Sequence, residues 1–189
     1  MSWLEFDERW RGDDSSGDAD IVRLMHHDPR WHQEFQQTRS SVLMCCEGRV
    51  TDVQHIGGTA IDGLIARPVI DVVAVVEAGD DWQDAQACIE GLNFKTVRTP
   101  QWVVASGRGP TTLEKPRHGE TTHRVFLVLP QSPMLRHAIA IRDHFGANRE
   151  AAIAFEEWKV QAWRETQGDP DAYEHAKATY FAKLLERLR

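Results

Sequence analysis

The chain has 189 residues, 41% hydrophobic and 27% charged, with a formal net charge of -7. That length carries one domain with a sizeable core, and that balance excludes a disordered chain. The negative charge argues against bulk nucleic-acid binding, which needs a basic surface, but leaves room for a local basic pocket around a small anion.

Residues 1–20 hold Asp7, Glu8, Asp13, Asp14, Asp18 and Asp20 among serines and glycines. They read as an acidic N-terminal arm, with Trp3 and Trp10 as its docking points. The lead lacks an apolar signal segment, and the longest apolar run, Val69 to Val76, is short and interrupted by Asp71. The expected location is therefore the cytoplasm, with no membrane partner. Cys45, Cys46 and Cys88 form no Cys-x-x-Cys pair and are expected to be reduced.

The first helix is expected at Asp28-Pro29, with Asp28 as cap and Trp31, Phe35, Thr38, Val42 and Cys45 on one face; Gly48 closes it. A strand follows over Val50–Ile56, broken by Gly57-Gly58, and a short turn or helix begins at Thr59. Val69–Glu77 is rich in β-branched residues on both faces, which predicts a central strand covered on both sides. Asp80 and Asp81 are expected to cap a helix with Trp82, Ala85, Ile89 and Leu92 inward. Further strands are predicted over Phe94–Val97, Gln101–Ala105 and His123–Leu129, with a polar loop over 106–122. Three helices complete the chain: Ser132-Pro133 to Gly146, Arg149 to Gln167, and Asp169-Pro170 to Arg189. The middle one has Ile153, Phe155, Trp158, Ala162 and Trp163 as its apolar members. This order gives an α/β (α+β) fold, a mixed β-sheet with packed helices and a helical C-terminal part.

The chemistry concentrates in His55-Ile56-Gly57-Gly58-Thr59 and Arg67-Pro68-Val69-Ile70-Asp71. Two glycines after a strand let the backbone approach a ligand, and a helix starting at Thr59 would aim N–H groups at an anion. Asp71 is a carboxylate inside an apolar strand, which is costly unless it is paired or holds a metal. It has two readings: a metal holder beside a phosphate turn, or a structural residue paired with Arg67 or with backbone N–H groups.

The run His55-Ile56-Gly57-Gly58-Thr59-Ala60, then Gly63-Leu64 and Ala66-Arg67-Pro68-Val69-Ile70-Asp71, resembles the GrpB-like family, itself similar to the nucleotidyltransferase-fold superfamily. The resemblance extends to Asp28-Pro29-Arg30-Trp31 with Phe35, to Ile141-Arg142-Asp143-His144-Phe145, to Glu150 and Lys159, and to Tyr173, Lys177 and Phe181. It implies one nucleotidyltransferase-like domain over residues 21–189. Three departures stand out. Gly58 replaces a serine, Asp62 a proline, and the family's later His-x-His strand motif reads Arg124-Val125-Phe126. A fourth bears on catalysis: the superfamily's second aspartate is Val73 here, on the same strand face as Asp71. Two-metal transfer needs shared carboxylates holding ions about 4 Å apart, whereas one aspartate holds one Mg²⁺ loosely.

The expected function is therefore a nucleotidyltransferase-like domain binding a nucleotide or other phosphorylated small molecule, with weak or altered metal-dependent transfer chemistry. Asp71 is its catalytic and metal residue, with Mg²⁺ as the metal and no organic cofactor indicated. His55, Gly57, Gly58, Thr59, Arg67 and Lys159 are its ligand residues. The alternative is a non-catalytic ligand-sensing or protein-interaction module that kept the fold and lost the metal pair. A third reading is a helper domain, since members of the family it resembles also occur fused to a coenzyme A pathway kinase. Arg142 and Lys177 have two readings, reaching across to phosphates or, the favoured one, surface charges or ion pairs such as Arg142 with Asp143, and Ser106–Pro110 with Lys115, Arg117 and His118 reads as a plain hairpin loop rather than a lid. The histidines show no zinc spacing, and neither a hydrolase elbow nor a Walker loop occurs.

Overall fold

The computed structural model describes residues 21–77, 79–99 and 110–188. The acidic arm, Trp102, the strand expected at 101–105 and residues 106–109 lie outside the described residues. Helix α1 (Arg30–Cys46) starts where the sequence predicts. The Asp28 carboxylate accepts the Arg30 N–H at 2.9 Å, and the Asp28 carbonyl accepts that of Trp31 at 3.0 Å. Its buried stripe is Trp31, Phe35, Thr38, Val42 and Cys46, so the stripe ends on Cys46 rather than Cys45. The two sulfurs lie 3.7 Å apart, and all three cysteines are free.

Strands β1 (Val50–Ile56), β2 (Ile70–Val76), β3 (Lys95–Val97), β4 (Thr111–Lys115) and β5 (His123–Val128) form one sheet in the order β1-β2-β5-β4-β3. β2 runs parallel to β5, and the other pairs are antiparallel. Every residue of β2 is buried. Val72, Ala74 and Val76 pack toward α1 and α2 (Trp82–Gly91). Val73 and Val75 pack on the other face, with Ile56, Phe126, Val128 and Met134. β4 lies inside the stretch expected to be a polar loop. Thr-Thr-Leu-Glu-Lys has one aliphatic residue and no apolar alternation, so its strand character comes from pairing with β5 and burying Thr112 and Leu113. Asp81 does not cap α2 with its side chain. Its own backbone is already helical, at φ -79° and ψ -6°, whereas a capping residue needs extended geometry.

Helices α3 (Pro133–Ala147), α4 (Arg149–Glu165) and α5 (Pro170–Arg187) follow. Asn148 caps α4 by accepting the Ala151 N–H at 3.0 Å, and Asp169 caps α5 through Ala172 at 2.8 Å. The three helices meet around Phe145, Phe155, Leu184 and Phe181, with Phe145 and Phe155 stacked at 4.6 Å. Ile153, one of the apolar members of α4, is 51% exposed. Two helical positions separate it from Phe155, and about 200° of rotation puts it on the opposite face. Among the described residues no helix is long and apolar enough to cross a membrane.

Candidate functional site

β1 and β2 are joined through the double-glycine bend, and the geometry there requires glycine. Gly57 has φ +75°, and a Cβ on it would stand 2.8 Å from Asp71 Oδ2. A Cβ on Gly58 would stand 2.8 Å from the Ala66 Cβ, which explains why this backbone takes glycine where a serine was expected. The segment Gly58–Ala60 is a single 3₁₀ turn, too short to supply the helix N-terminus considered at Thr59.

His55 and Thr59 stand behind the bend. The Thr59 hydroxyl donates its proton to the Val69 carbonyl at 3.2 Å, and His55 Nε2–H donates to Thr59 Oγ1 at 3.0 Å. The imidazole stacks on Phe35 at 4.6 Å, and burial lowers its pKa to about 4, so it is neutral. This pair ties the end of β1 to the start of β2 and does not reach the cavity wall.

On the other side of the bend lies a cavity of about 70 Å³, room for a phosphate-sized group with the rest of a ligand extending through the mouth. Gly57, Gly58, Arg67, Asp71 and Lys159 all line it, so five of the seven residues singled out from the sequence converge there. Three more cations line it: Arg142 from α3 and Lys177 from α5, read from the sequence as surface charges, and Arg124 from β5, noted there only as a departure from a family motif. Among the described residues five cationic side chains and two carboxylates, Asp71 and Glu174, line the cavity; Arg124 is also paired with Glu114 and Arg142 with Asp143. Helical spacing explains the grouping, since Tyr173, Lys177 and Phe181 follow one another four apart on α5, as do Phe155 and Lys159 on α4. Arg142 makes the expected contact with Asp143 at 2.8 Å and also donates to Gln54 Oε1 and the His55 carbonyl, both at 3.1 Å. Arg117 lies elsewhere, donating to the Phe94 and Glu90 carbonyls.

Lys159 is 4% exposed, its amine donating to the Ile65 carbonyl and lying 4.8 Å from the centre of the Phe155 ring. Burial lowers its pKa to about 7, with Lys177 adding repulsion and Glu156 opposing. Burial likewise lowers Lys177 to about 8, against the pull of Asp71.

Asp71 sits in a row across the sheet. Arg124 is its register partner on β5, and Glu114 is the register partner of Arg124 on β4. Arg124 donates to Glu114 at 2.7 Å and lies 3.7 Å from Asp71 Oδ1. That oxygen is buried without a hydrogen bond. Burial raises the Asp71 pKa, while Arg124, Lys177 and Arg67 pull it down. The donor set falls short of a Mg²⁺ site held by the protein alone. Asp71 faces a guanidinium, Glu174 is the other carboxylate lining the cavity, Val73 is buried in an apolar cluster, and Glu114 is engaged by Arg124 and Thr121. Among the described residues no group of three His, Cys, Asp or Glu side chains is placed to hold a metal ion. The position beside Asp71 is taken by the protein's own cation.

Comparison with solved structures relates the fold to known proteins. The chain superposes on the conserved protein GrpB from Enterococcus faecalis with a TM-score of 0.75 at 20% identity, covering 88% of this chain and 96% of that one. It superposes on the Cid1 poly(U) polymerase, a nucleotidyltransferase, with a TM-score of 0.52 at 8% identity, covering 80% of this chain and 49% of that one. The fold is thus nucleotidyltransferase-like. In sequence, a UPF0157 protein of Pseudomonas aeruginosa is 27% identical over 184 residues, 95% of this chain and 71% of that protein. The glutamate-rich protein GrpB of Alkalihalophilus pseudofirmus is 24% identical over 173 residues, 88% of this chain and 95% of that protein. The model of the GrpB protein family matches residues 21–187, and the chain belongs to that family.

Proposed function

We propose that the cavity binds the phosphate of a small phosphorylated molecule through the protein's own cations and without a metal ion, so that the domain senses or holds its ligand instead of transferring a nucleotidyl group. The observation that carries this reading is the convergence of Arg67, Arg124, Arg142, Lys159 and Lys177 on one concave wall opposed by two carboxylates. Cations gathered at a partly buried wall, with fewer carboxylates lining it, favour an anion between them. Guanidinium groups suit phosphate because their donors match its oxygens. The fold supports a nucleotide as one such ligand, since Cid1 is a poly(U) polymerase with a structure bound to Mg and 3′-dATP. Arg124 beside Asp71 and Val73 in the core favour the non-catalytic form of the reading over metal-dependent transfer.

A thermal-shift panel of nucleotides, sugar phosphates and pyrophosphate, each with Mg²⁺ and with a chelator, tests it. Stabilisation that survives chelation supports the reading, because a ligand binding only the folded state raises its melting temperature. Stabilisation seen only with Mg²⁺ would restore the metal-dependent reading. No stabilisation by any anion would remove the phosphate site.

A further inference from the structure

One of the five cations can do more than attract an anion. Lys159 adds charge to the site only while protonated, and it is buried where that charge is poorly supported. Its neighbour Glu156 spends Oε2 on the Ile65 N–H at 3.1 Å, Phe155 covers one side, and Lys177 repels a second positive charge. A lysine amine that is desolvated beside another cation becomes a nucleophile at neutral pH. We infer that Lys159 forms an imine with a phosphorylated aldehyde whose phosphate is held by Arg67, Arg124 and Lys177. This rests on the phosphate reading and deepens it by naming the ligand class.

The geometry supports the step. Lys159 lines the cavity and donates a hydrogen bond to the Ile65 carbonyl at its wall, so the neutral amine can turn its lone pair to a carbonyl carbon bound there. The lone pair adds to the carbonyl carbon, and the carbinolamine so formed loses its oxygen as water. Both amine protons leave on that water, and no oxidant or reductant is consumed. At pH 7 a group titrating near 7 is about half amine, against well under one part in a thousand for a lysine at its ordinary value. The aromatic wall of Phe145, Phe155 and Phe181 keeps water from the carbon–nitrogen bond.

The test is trapping on the full chain. The protein is incubated with pyridoxal 5′-phosphate, reduced with borohydride and mapped by peptide mass spectrometry. Unphosphorylated pyridoxal is run in parallel, and pyrophosphate serves as competitor. Expected are a saturable adduct on Lys159, labelled about tenfold or more over the unphosphorylated aldehyde and suppressed by pyrophosphate. Its yield should rise between pH 6 and 8. Lys159→Arg should lose the adduct. Pyrophosphate binding with label confined to surface lysines overturns the imine and leaves the anion site standing. Absence of both overturns the anion reading as well. Lys159 labelling that is equal for the two aldehydes removes the phosphate from the proposal. The wild-type map decides even if the variant fails to fold.

Discussion

Replacing Asp71 with asparagine separates the two accounts of this cavity, because they predict opposite signs. If Asp71 holds a metal that holds a phosphate, Asp71→Asn abolishes binding. If Asp71 is a counter-ion to the cation cluster, the substitution removes a negative charge that repels the ligand. The Arg124 guanidinium lies 3.7 Å from Asp71 Oδ1, so a phosphate resting on Arg124 has its charge about 6 Å from the carboxylate. At an effective dielectric of about 20, two unit charges at that separation repel by about 2.8 kcal/mol, a factor of roughly a hundred in affinity. Relaxation and the loss of Asp71's pull on Lys177 reduce this, so a gain of about tenfold or more is expected at pH 7. Asparagine keeps the shape, and Arg124 keeps its contacts with Glu114. The assay is calorimetric titration with pyrophosphate in chelator-containing buffer, wild type against variant. A loss of affinity in the variant would refute the counter-ion argument.

Three further outcomes follow from the same geometry. Gly57→Ala places a Cβ 2.8 Å from Asp71 Oδ2 at φ +75°, and urea unfolding should show a loss of about 2 kcal/mol or more; a loss below about 0.5 kcal/mol contradicts the packing described. His55 is lowered to about 4 from 6.5, so the unfolded chain takes up its proton first, and stability falls as pH drops from about 6.5 to 4, by at most about 3 kcal/mol from this residue. In urea midpoints against pH, His55→Gln should flatten part of that slope, and an unchanged slope would show that the imidazole titrates normally. Lys159 at about 7 and Lys177 at about 8 lose charge as pH rises, so anion affinity should fall from pH 6 to 9 by about tenfold. Titrations that are flat over this range would exclude both amines from the anion site.

Much of the scaffold was legible because its determinants are local. The apolar run broken only by Asp71 identified β2, the double glycine identified the bend, and Asp-Pro and Ser-Pro pairs marked helix starts. β4 was not legible, since Thr111–Lys115 becomes a strand only by lying against β5. The partner of Asp71 was hidden for the same reason. Arg67 is its near neighbour in sequence, but the parallel register of β2 and β5 sets Arg124 beside it. His55 and Thr59 share the motif with Gly57 and Gly58, yet strand alternation and the tight turn send their side chains behind the bend. The four-residue spacing of Tyr173, Lys177 and Phe181 puts Lys177 on the face of its apolar neighbours, but spacing within α3 and α5 does not show that both helices pack over the bend. The cation cluster is a property of how three helices meet the ends of the interior strands β2 and β5, and residue spacing alone does not encode it.

The central claim is that this cavity holds a phosphate with protein cations in place of a metal. Titrating the wild-type chain with inorganic pyrophosphate in metal-free buffer, by calorimetry, tests it most directly. The account predicts saturable binding at one site that weakens with added salt, is unchanged by Mg²⁺ at the site and is lost in Lys177→Glu. Heat that appears only when Mg²⁺ is supplied, or binding indifferent to Lys177→Glu, would contradict it.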